Sequence, residues 1–145
     1  MDDSVKKNAE LVLKSLEDNS FCKFLGLEFS ELTDTHAVAR IPFSEKFFNP
    51  FATVHGGVLF SVSDIVAGAM ACVSGNFCTT VEGKLNYLLP GKADKYIYCE
   101  SKVTRAGRHI ISAYVEIKSD DGKLLDNGSF TFYRTETEIS DSSIL

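Results

Sequence analysis

The sequence lacks the close cysteine and histidine pairs that build zinc sites. It has no Cys-x-x-Cys pair, and its histidines are far apart without ligand spacing, so we expect no metal site. Cys72 lies within an apolar segment, which fits free thiols in a reducing compartment better than disulfides. The cysteines are Cys22, Cys72, Cys78 and Cys99, and the histidines are His36, His55 and His109.

Other signals are missing as well. There is no Gly-x-x-x-x-Gly-Lys phosphate loop and no Gly-x-Gly-x-x-Gly dinucleotide fingerprint. The longest apolar stretch is interrupted by Asp64 and is too short to cross a membrane, and the residues after Met1 lack the order of a signal peptide. The net charge of −5 disfavours general binding of nucleic acid or anionic membranes. We therefore expect a cytoplasmic protein without nucleic-acid or membrane partners.

The 145 residues have the size and composition of one globular domain, with 44% apolar and 24% charged residues. We expect a single domain over residues 1–145, in which residues 136–145 form a loose polar tail. The order of helix, two strands, helix and four strands predicts an α+β fold, with one curved antiparallel sheet wrapped around an apolar helix. The predicted helices cover 4–18 (capped by Ser4), 21–25 and about 56–73, and the predicted strands cover 27–32, 36–43, 78–89, 95–105, 109–118 and 124–134.

Alternation of apolar and polar residues predicts which strand faces are buried. The strand at 109–118 should bury one face, and the strand at 78–89 should do the same. The residues on these faces are Ile111, Ala113, Val115 and Ile117 in the first and Val81, Leu85, Tyr87 and Leu89 in the second.

The stretch from Asn49 to Val73 should be the centre of the fold. After His55, Gly56 and Gly57 it is apolar nearly all round, which predicts a helix covered on all sides. The first N–H groups of a helix have no internal partner, and together with the helix dipole they bind an anion or polarise a carbonyl oxygen. Asp64 is the one charge in this helix, and it faces either a site or a wet edge.

The spacing between the glycines and the carboxylate suggests a dimer. Asp64 follows Gly56 by eight residues, which is roughly 12 Å along a helix. A carbonyl held about 3 Å from the first amides would be too far from the same chain's Asp64. If both groups act on one bond, they come from two subunits.

The pattern Asn49-x5-His55-Gly56-Gly57-x6-Asp64 resembles the hotdog-fold acyl-CoA thioesterases, in particular the PaaI-type branch of the phenylacetate pathway. The resemblance covers about residues 5–135. It implies a hotdog fold, hydrolysis of acyl-CoA with CoA as part of the substrate, no separate cofactor, and assembly into a dimer or tetramer.

The resemblance also implies roles for single residues. The amide of Gly56 or Gly57 would polarise the thioester carbonyl, and Asp64 of the neighbouring subunit would act as general base or nucleophile. Asn49 would order the loop or the attacking water, and His55 would orient the thioester. Thr80 would help to hold the water, although threonine is common on strands for structural reasons alone.

Two further groups have open interpretations. The turn with Arg105, Gly107 and Arg108 could grip the phosphates of CoA, with Lys84 and Arg134 as weaker candidates, or it could be a solvated basic hairpin. The loop phenylalanines could line an apolar pocket or anchor the loop in the core. These phenylalanines are Phe47, Phe48 and Phe51.

Other functions of the fold are disfavoured or stay as alternatives. Hotdog dehydratases carry a histidine and a glutamate at positions occupied here by Phe48 and Val62, and two apolar residues cannot do that acid–base work. A non-catalytic acyl-CoA-binding module remains the alternative, because the motif alone does not prove turnover. The sequence does not indicate which acyl group is preferred.

Overall fold

The computed structural model describes residues 1–140 and confirms the predicted order of helices and strands. No helix in this part of the chain combines the length and the apolar character that a membrane crossing requires. The helices are α1 (Asp3–Glu17), α2 (Ser20–Leu25) and α3 (Gly56–Cys72), and the strands are β1 (Glu28–Leu32), β2 (His36–Pro42), β3 (Asn76–Tyr87), β4 (Tyr96–Ala106), β5 (Ile110–Ser119) and β6 (Leu124–Glu138).

Within residues 1–140 the six strands form one antiparallel sheet in the order β1-β2-β4-β5-β6-β3. The sheet wraps around α3, which contacts every strand from β2 to β6. This is the α+β arrangement that the sequence predicts. Strand β3 follows α3 in the chain but pairs with β6, so it lies at one edge of the sheet, while β1 lies at the other.

The core lies between α3 and the concave face of the sheet. The predicted buried face of β5 is confirmed, since Ile111, Ala113, Val115 and Ile117 are all buried. Leu59, Val62 and Val66 of α3 are buried as well. Removal of these apolar surfaces from water is the main driving force that holds α3 against the sheet.

The cap of α1 differs from the prediction. Asp2, not Ser4, is the N-cap residue, because the Asp2 backbone is extended and its side chain accepts a hydrogen bond from the Ser4 amide at 3.3 Å. The Ser4 hydroxyl donates to the same carboxylate at 2.8 Å. A negative charge at a helix N-terminus is favourable, so aspartate takes the cap and serine lies in the first turn.

Strand β3 departs from simple alternation. Its pairing with β6 shifts between Thr80 and Glu82, and this bulge moves Val81 off the buried face, so that its side chain is 60% exposed. The predicted buried face is therefore wrong for Val81, and it is also wrong for Tyr87 and Leu89, which are 53% and 46% exposed, while Leu85 is half-buried. A bulge inserts one extra residue and reverses the faces beyond it, which alternation in the sequence does not reveal.

Helix α3 is not covered on all sides within one chain, in contrast to the prediction. Gly57 is exposed, and Ser61 and Ile65 are only half-buried. These positions are four residues apart, so they form one uncovered face. The sheet covers the opposite face of the helix.

The end of β6 also differs from the prediction, which ended the last strand at residue 134. The strand continues to Glu138, which pairs with Asn76, and the Ile139 amide donates to the Gly75 carbonyl at 2.9 Å. The first residues of the predicted loose tail are therefore paired in the sheet. Residues 141–145 of that tail lie outside the described residues.

Candidate active site

The start of α3 presents two free amides. The His55 carbonyl accepts from the amides of Val58 at 3.0 Å and Leu59 at 3.3 Å. Within residues 1–140, the amides of Gly56 and Gly57 have no recorded partner. A Cβ atom built on Gly57 would meet nothing within 4 Å, so the side of the helix at this residue is open. The predicted polarising groups are therefore available to a ligand, and His55 is exposed beside them.

Tyr87 fixes this helix start from the neighbouring strand. Its hydroxyl donates to the Gly56 carbonyl at 2.8 Å, and a Cβ on Gly56 would lie 3.0 Å from the Tyr87 ring. Glycine at position 56 thus allows the tyrosine to pack against the first turn. We assigned Tyr87 to a strand face from the sequence but did not predict this contact, because nothing in its spacing links it to Gly56.

Asn49 closes the loop that precedes α3. Its amide nitrogen donates to the Thr53 hydroxyl at 2.8 Å, and its oxygen accepts from the backbone amides of Phe51 at 2.9 Å and Thr53 at 3.2 Å. Both the nitrogen and the oxygen of the Asn49 side-chain amide therefore form hydrogen bonds within the loop. This geometry fits the loop-ordering role, which is one of the two roles expected for Asn49.

The loop phenylalanines do not gather around one pocket. Phe47 is 1% exposed and belongs to the core, whereas Phe51 is 83% exposed. Phe48 packs on Phe43 with a distance of 4.9 Å between ring centroids. Of the two interpretations, anchoring in the core therefore applies to Phe47.

Asp64 and Thr80 meet across α3 and β3. The Thr80 hydroxyl donates to Asp64 Oδ1 at 2.6 Å. Thr80 precedes the bulge of β3 and faces the helix, and the Asp64 side chain is half-buried. Asp64 Oδ2 has no recorded partner in the described part of the chain. The structure thus brings together two residues that the sequence placed sixteen positions apart.

A cavity of about 270 Å³ lies beside this pair, between α1, α3 and β3. Asp64 and Thr80 form part of its wall, and most of the remaining wall is apolar. Within residues 1–140 no group of three or more histidine, cysteine, aspartate or glutamate side chains could hold a metal ion. Other residues along the wall are Ile65, Gly68, Cys72, Phe77, Cys78 and Phe132.

Asp64 and the free amides lie at different levels of α3. Asp64 contacts Thr80, whereas Gly56 contacts Tyr87, seven residues further along β3. Eight residues of helix separate Asp64 from Gly56, which corresponds to roughly 12 Å. Within one chain the carboxylate therefore lies well away from the amides.

The predicted basic residues do not form one patch. Arg105, Gly107 and Arg108 lie around the turn between β4 and β5, and both arginines are exposed. Lys84 is exposed on β3, opposite Ser129 of β6. The turn lies two (β5) to three (β4) strands away from β3, or roughly 10–14 Å across the sheet.

Arg134 supports the turn between β4 and β5 from the adjacent strand. Its Nη1 donates to the Arg108 carbonyl at 3.4 Å, and its amide donates to the His109 carbonyl at 2.7 Å. Its role in the structure is therefore to hold the shape of this turn.

Asp126 is a buried residue that the sequence analysis missed. It is 0% exposed, and neither carboxylate oxygen has a hydrogen-bond partner within residues 1–140. Burial raises the pKa of Asp126 to about 7. It lies opposite Tyr87 in the ladder, below the start of α3. The signal was present in the sequence, since residue 126 has the same parity as the buried Phe130 and Phe132.

Comparison with known proteins assigns the family. Residues 51–125 match the model of the thioesterase superfamily. A protein of Saccharolobus solfataricus named "Putative esterase" is 32% identical over 141 residues, which cover 96% of this chain and 98% of that protein. The chain therefore belongs to the thioesterase superfamily, and this membership supports hydrolysis of thioesters.

Solved structures confirm the hotdog fold. The PaaI protein of the E. coli phenylacetic acid degradation operon superposes with a TM-score of 0.86 at 20% identity, covering 94% of this chain and 97% of that one. A hypothetical thioesterase from Streptococcus pneumoniae, solved with coenzyme A, superposes with a TM-score of 0.80 at 24% identity, covering 88% and 99%. The fold expected from the resemblance to the PaaI-type branch is thus confirmed.

Proposed function

We propose that the chain hydrolyses acyl-CoA thioesters to a free acid and CoA, at sites that two copies of the chain build together. The observation that carries this proposal is the 2.6 Å hydrogen bond from Thr80 to Asp64 on the wall of a mostly apolar cavity. The reaction takes only the thioester and water. CoA is part of the substrate, and no separate cofactor is needed.

The free amides at the start of α3 supply the first element of the mechanism. The N–H of Gly56 or Gly57 donates to the thioester carbonyl and stabilises the negative charge that develops on its oxygen. The dipole of α3 favours the same charge. His55 lies beside these amides and orients the thioester, and the Asn49 side chain keeps the loop in place.

Asp64 of the second copy supplies the carboxylate. As a general base it takes a proton from water, the water oxygen attacks the carbonyl carbon, and CoA leaves as the thiol with that proton. As a nucleophile it attacks the carbon itself, the C–S bond breaks and CoA leaves as the thiolate. Water then cleaves the mixed anhydride, which gives the free acid, restores the Asp64 carboxylate and releases the proton that the thiolate takes up. In both routes Thr80 donates to Asp64 Oδ1, which leaves Oδ2 free to act and the Thr80 oxygen free to accept from water.

Two surfaces support assembly of a second copy onto the first. Strand β3 is a twelve-residue edge strand without proline, and such an edge is a template for pairing. Exposed apolar side chains follow it, with Val81 at 60%, Tyr87 at 53% and Leu88 at 51% exposure. A partner on this edge would also cover the uncovered face of α3. We propose a dimer as the smallest active unit, which could pair further into a tetramer.

The turn between β4 and β5 is our candidate for the phosphate groups of CoA. Arg105 and Arg108 are exposed there, and guanidinium groups bind phosphate oxygens in pairs. Gly107 keeps the turn tight, since its amide donates to the Ile110 carbonyl at 2.8 Å. Lys84 contributes less in this proposal, because it lies two to three strands away from the turn.

The first test is release of free thiol from a panel of aryl and aliphatic acyl-CoAs. Wild type should release thiol, and Asp64→Asn should lower kcat/KM by about a hundredfold or more, because the amide cannot take up a proton or attack. Thr80→Val should lose part of the activity, and Thr80→Ser, which keeps the hydroxyl, should retain most of it. The preferred acyl group would come from the same panel.

A matched control is available in Asp34→Asn, which neutralises another half-buried aspartate in the turn between β1 and β2. This variant should keep full activity. Equal activity of Asp64→Asn and wild type would contradict the catalytic role of Asp64. Binding of acyl-CoA by wild type without thiol release would overturn hydrolysis and favour an acyl-CoA-binding module.

A further inference from the structure

Two cysteines lie in contact beside the proposed catalytic pair. Cys72 is the last residue of α3 and Cys78 lies on β3, and the chain between them reverses at Gly75, whose φ is +115°. The Cys78 amide donates to the Cys72 sulfur at 3.4 Å, and the Cys78 thiol donates to the Asn76 carbonyl at 3.6 Å, so the two side chains lie next to each other. Neither thiol is paired in a disulfide.

The environments of the two thiols differ. The pKa of Cys72 is lowered by hydrogen bonds from the thiol and the amide of Cys78. The pKa of Cys78 is raised by its bond to Cys72 and by burial, and this rise is opposed by Arg134, which lies opposite Cys78 in the ladder. Because the thiolate is the reactive form, Cys72 is the better nucleophile of the pair.

Burial and location separate this pair from the other cysteines, since Cys22 lines a different cavity, beside α1 and β1. Cys72 and Cys78 are half-buried and lie on the wall of the 270 Å³ cavity together with Asp64. Cys22 and Cys99 are buried, and burial raises the pKa of both thiols. A small reagent that enters the cavity therefore meets only the first pair.

We propose that Cys72 and Cys78 form an oxidisable dithiol site, at which a hydroperoxide entering the cavity converts the two thiols to a disulfide. The Cys72 thiolate attacks the peroxide, the O–O bond breaks, and Cys72 becomes a sulfenic acid while an alcohol or water leaves. The Cys78 thiol then attacks the Cys72 sulfur, the S–S bond forms, and water leaves. The two thiols supply the two electrons that reduce the peroxide.

The disulfide would act on the neighbouring catalytic pair. An S–S bond of about 2 Å is much shorter than a thiol hydrogen bond, so it draws the end of α3 towards β3. Thr80 lies two residues from Cys78 on β3, and Asp64 lies two helical turns before Cys72. The disulfide should therefore change the contact between Asp64 and Thr80 and slow hydrolysis, a consequence that rests on the proposed function.

The test is treatment with hydrogen peroxide, followed by alkylation of free thiols and digestion with trypsin. Both cysteines lie in the single tryptic peptide of residues 47–84. In wild type this peptide should lose two hydrogens and take up no alkyl group, and dithiothreitol should restore both alkylation sites. In Cys78→Ser, Cys72 should instead stop at the sulfenic acid, which dimedone traps. Cys22→Ser, a control at a cysteine that does not line this cavity, should behave as wild type.

Two results would overturn the site: both thiols of peptide 47–84 remaining free, or Cys22 or Cys99 reacting before them. Thiol release from acyl-CoA is measured on the same samples. A loss of at least about tenfold that dithiothreitol reverses is expected, and an unchanged rate in fully oxidised protein would overturn the coupling to Asp64 and Thr80. Disulfide formation in a protein whose reduced form hydrolyses nothing would support the dithiol site and contradict the proposed function.

Discussion

At the scale of single residues, Asp126 shows how the fold changes the chemistry of a side chain. An aspartate ordinarily titrates near pH 3.8, but burial without a partner raises the pKa of Asp126 to about 7. Removing an ionised carboxylate from water is costly, so the neutral acid is favoured in the folded state. The titratable groups beside it are Tyr87 and Cys99, whose pKa values are raised by the same surroundings and which stay neutral over this range.

This shift predicts that stability depends on pH. Between about pH 4 and pH 7 the folded state keeps a proton on Asp126 that the unfolded state has lost, so stability falls as the pH rises through this window. About three pKa units correspond to roughly 4 kcal/mol, which is an upper value. Asp126→Asn cannot ionise and should lack this part of the slope. Urea unfolding of both proteins across the window, at one protein concentration, measures the difference.

His36 also contributes to the pH dependence of stability, at higher pH, and its contribution is the same in wild type and Asp126→Asn. A hydrogen bond to Glu31 raises its pKa above 6.5, so its contribution is present below that pH and is lost as the pH rises past the folded-state pKa. Asp126→Asn leaves His36 in place, so this contribution cancels in the comparison. Equal slopes for wild type and Asp126→Asn would show that Asp126 is already ionised in the folded protein.

At the scale of elements, the pairing of β3 with β6 places Thr80 and Tyr87 where they meet α3. This pairing requires a glycine at position 128, because a Cβ there would lie 1.9 Å from the Lys84 carbonyl oxygen and 2.9 Å from the Leu85 Cα. Both are backbone atoms, so no side-chain rotation can relieve the overlap. The two strands would have to separate.

Gly128→Ala should therefore lower the free energy of unfolding by about 3 kcal/mol or more. Ser129→Ala is the matched control, since Ser129 is the next residue of β6 and its exposed side chain lies on the other face. Its effect should stay within about 0.5 kcal/mol. Chemical unfolding measures both, and equal stabilities would mean that β3 and β6 are further apart than the structure has them.

The sequence predicts the features of helices and strands that depend on neighbouring residues. It does not predict the features that depend on pairing between distant segments. Alternation from Ile111 to Ile117 and the apolar run of α3 are local patterns, and they predicted the sheet and its central helix. The bulge at Val81 and the extension of β6 to Glu138 depend on strand pairing, which a local pattern does not report. The motif from Asn49 to Asp64 located most of the candidate site. Asp126 was missed although it has the parity of the buried Phe130 and Phe132, because aspartate is rarely buried without a partner.

At the scale of the whole molecule, the site is divided along α3. One chain holds Asp64 against Thr80 and leaves the amides of Gly56 and Gly57 free at a different level of the same helix. The edge of β3 and the uncovered face of α3 lie next to both. If a second copy pairs there, each chain supplies the carboxylate of one site and the amides of the other.

This division predicts complementation between inactive variants. Asp64→Asn removes the carboxylate, and Gly57→Pro removes one amide hydrogen in the first turn, where proline is tolerated and a Cβ at position 57 meets nothing within 4 Å. Each variant alone should be inactive. When equal amounts of the two variants are dissociated and reassembled together, half of the dimers contain one copy of each variant. Each of these mixed dimers has one intact site. The mixture should therefore recover about a quarter of the wild-type rate.

The matched mixture combines Asp64→Asn with Thr80→Val, whose two residues act from the same chain. No mixed dimer then contains an unaltered Asp64–Thr80 pair opposite unaltered amides, so the rate should stay at the mean of the two parents. Recovery in the first mixture but not in the second would place the amides and the carboxylate of each site on different chains. A first mixture that stays inactive, although mixed dimers form, would mean that one chain supplies both, and α3 would then have to bring Asp64 and Gly56 to one thioester despite the roughly 12 Å between them.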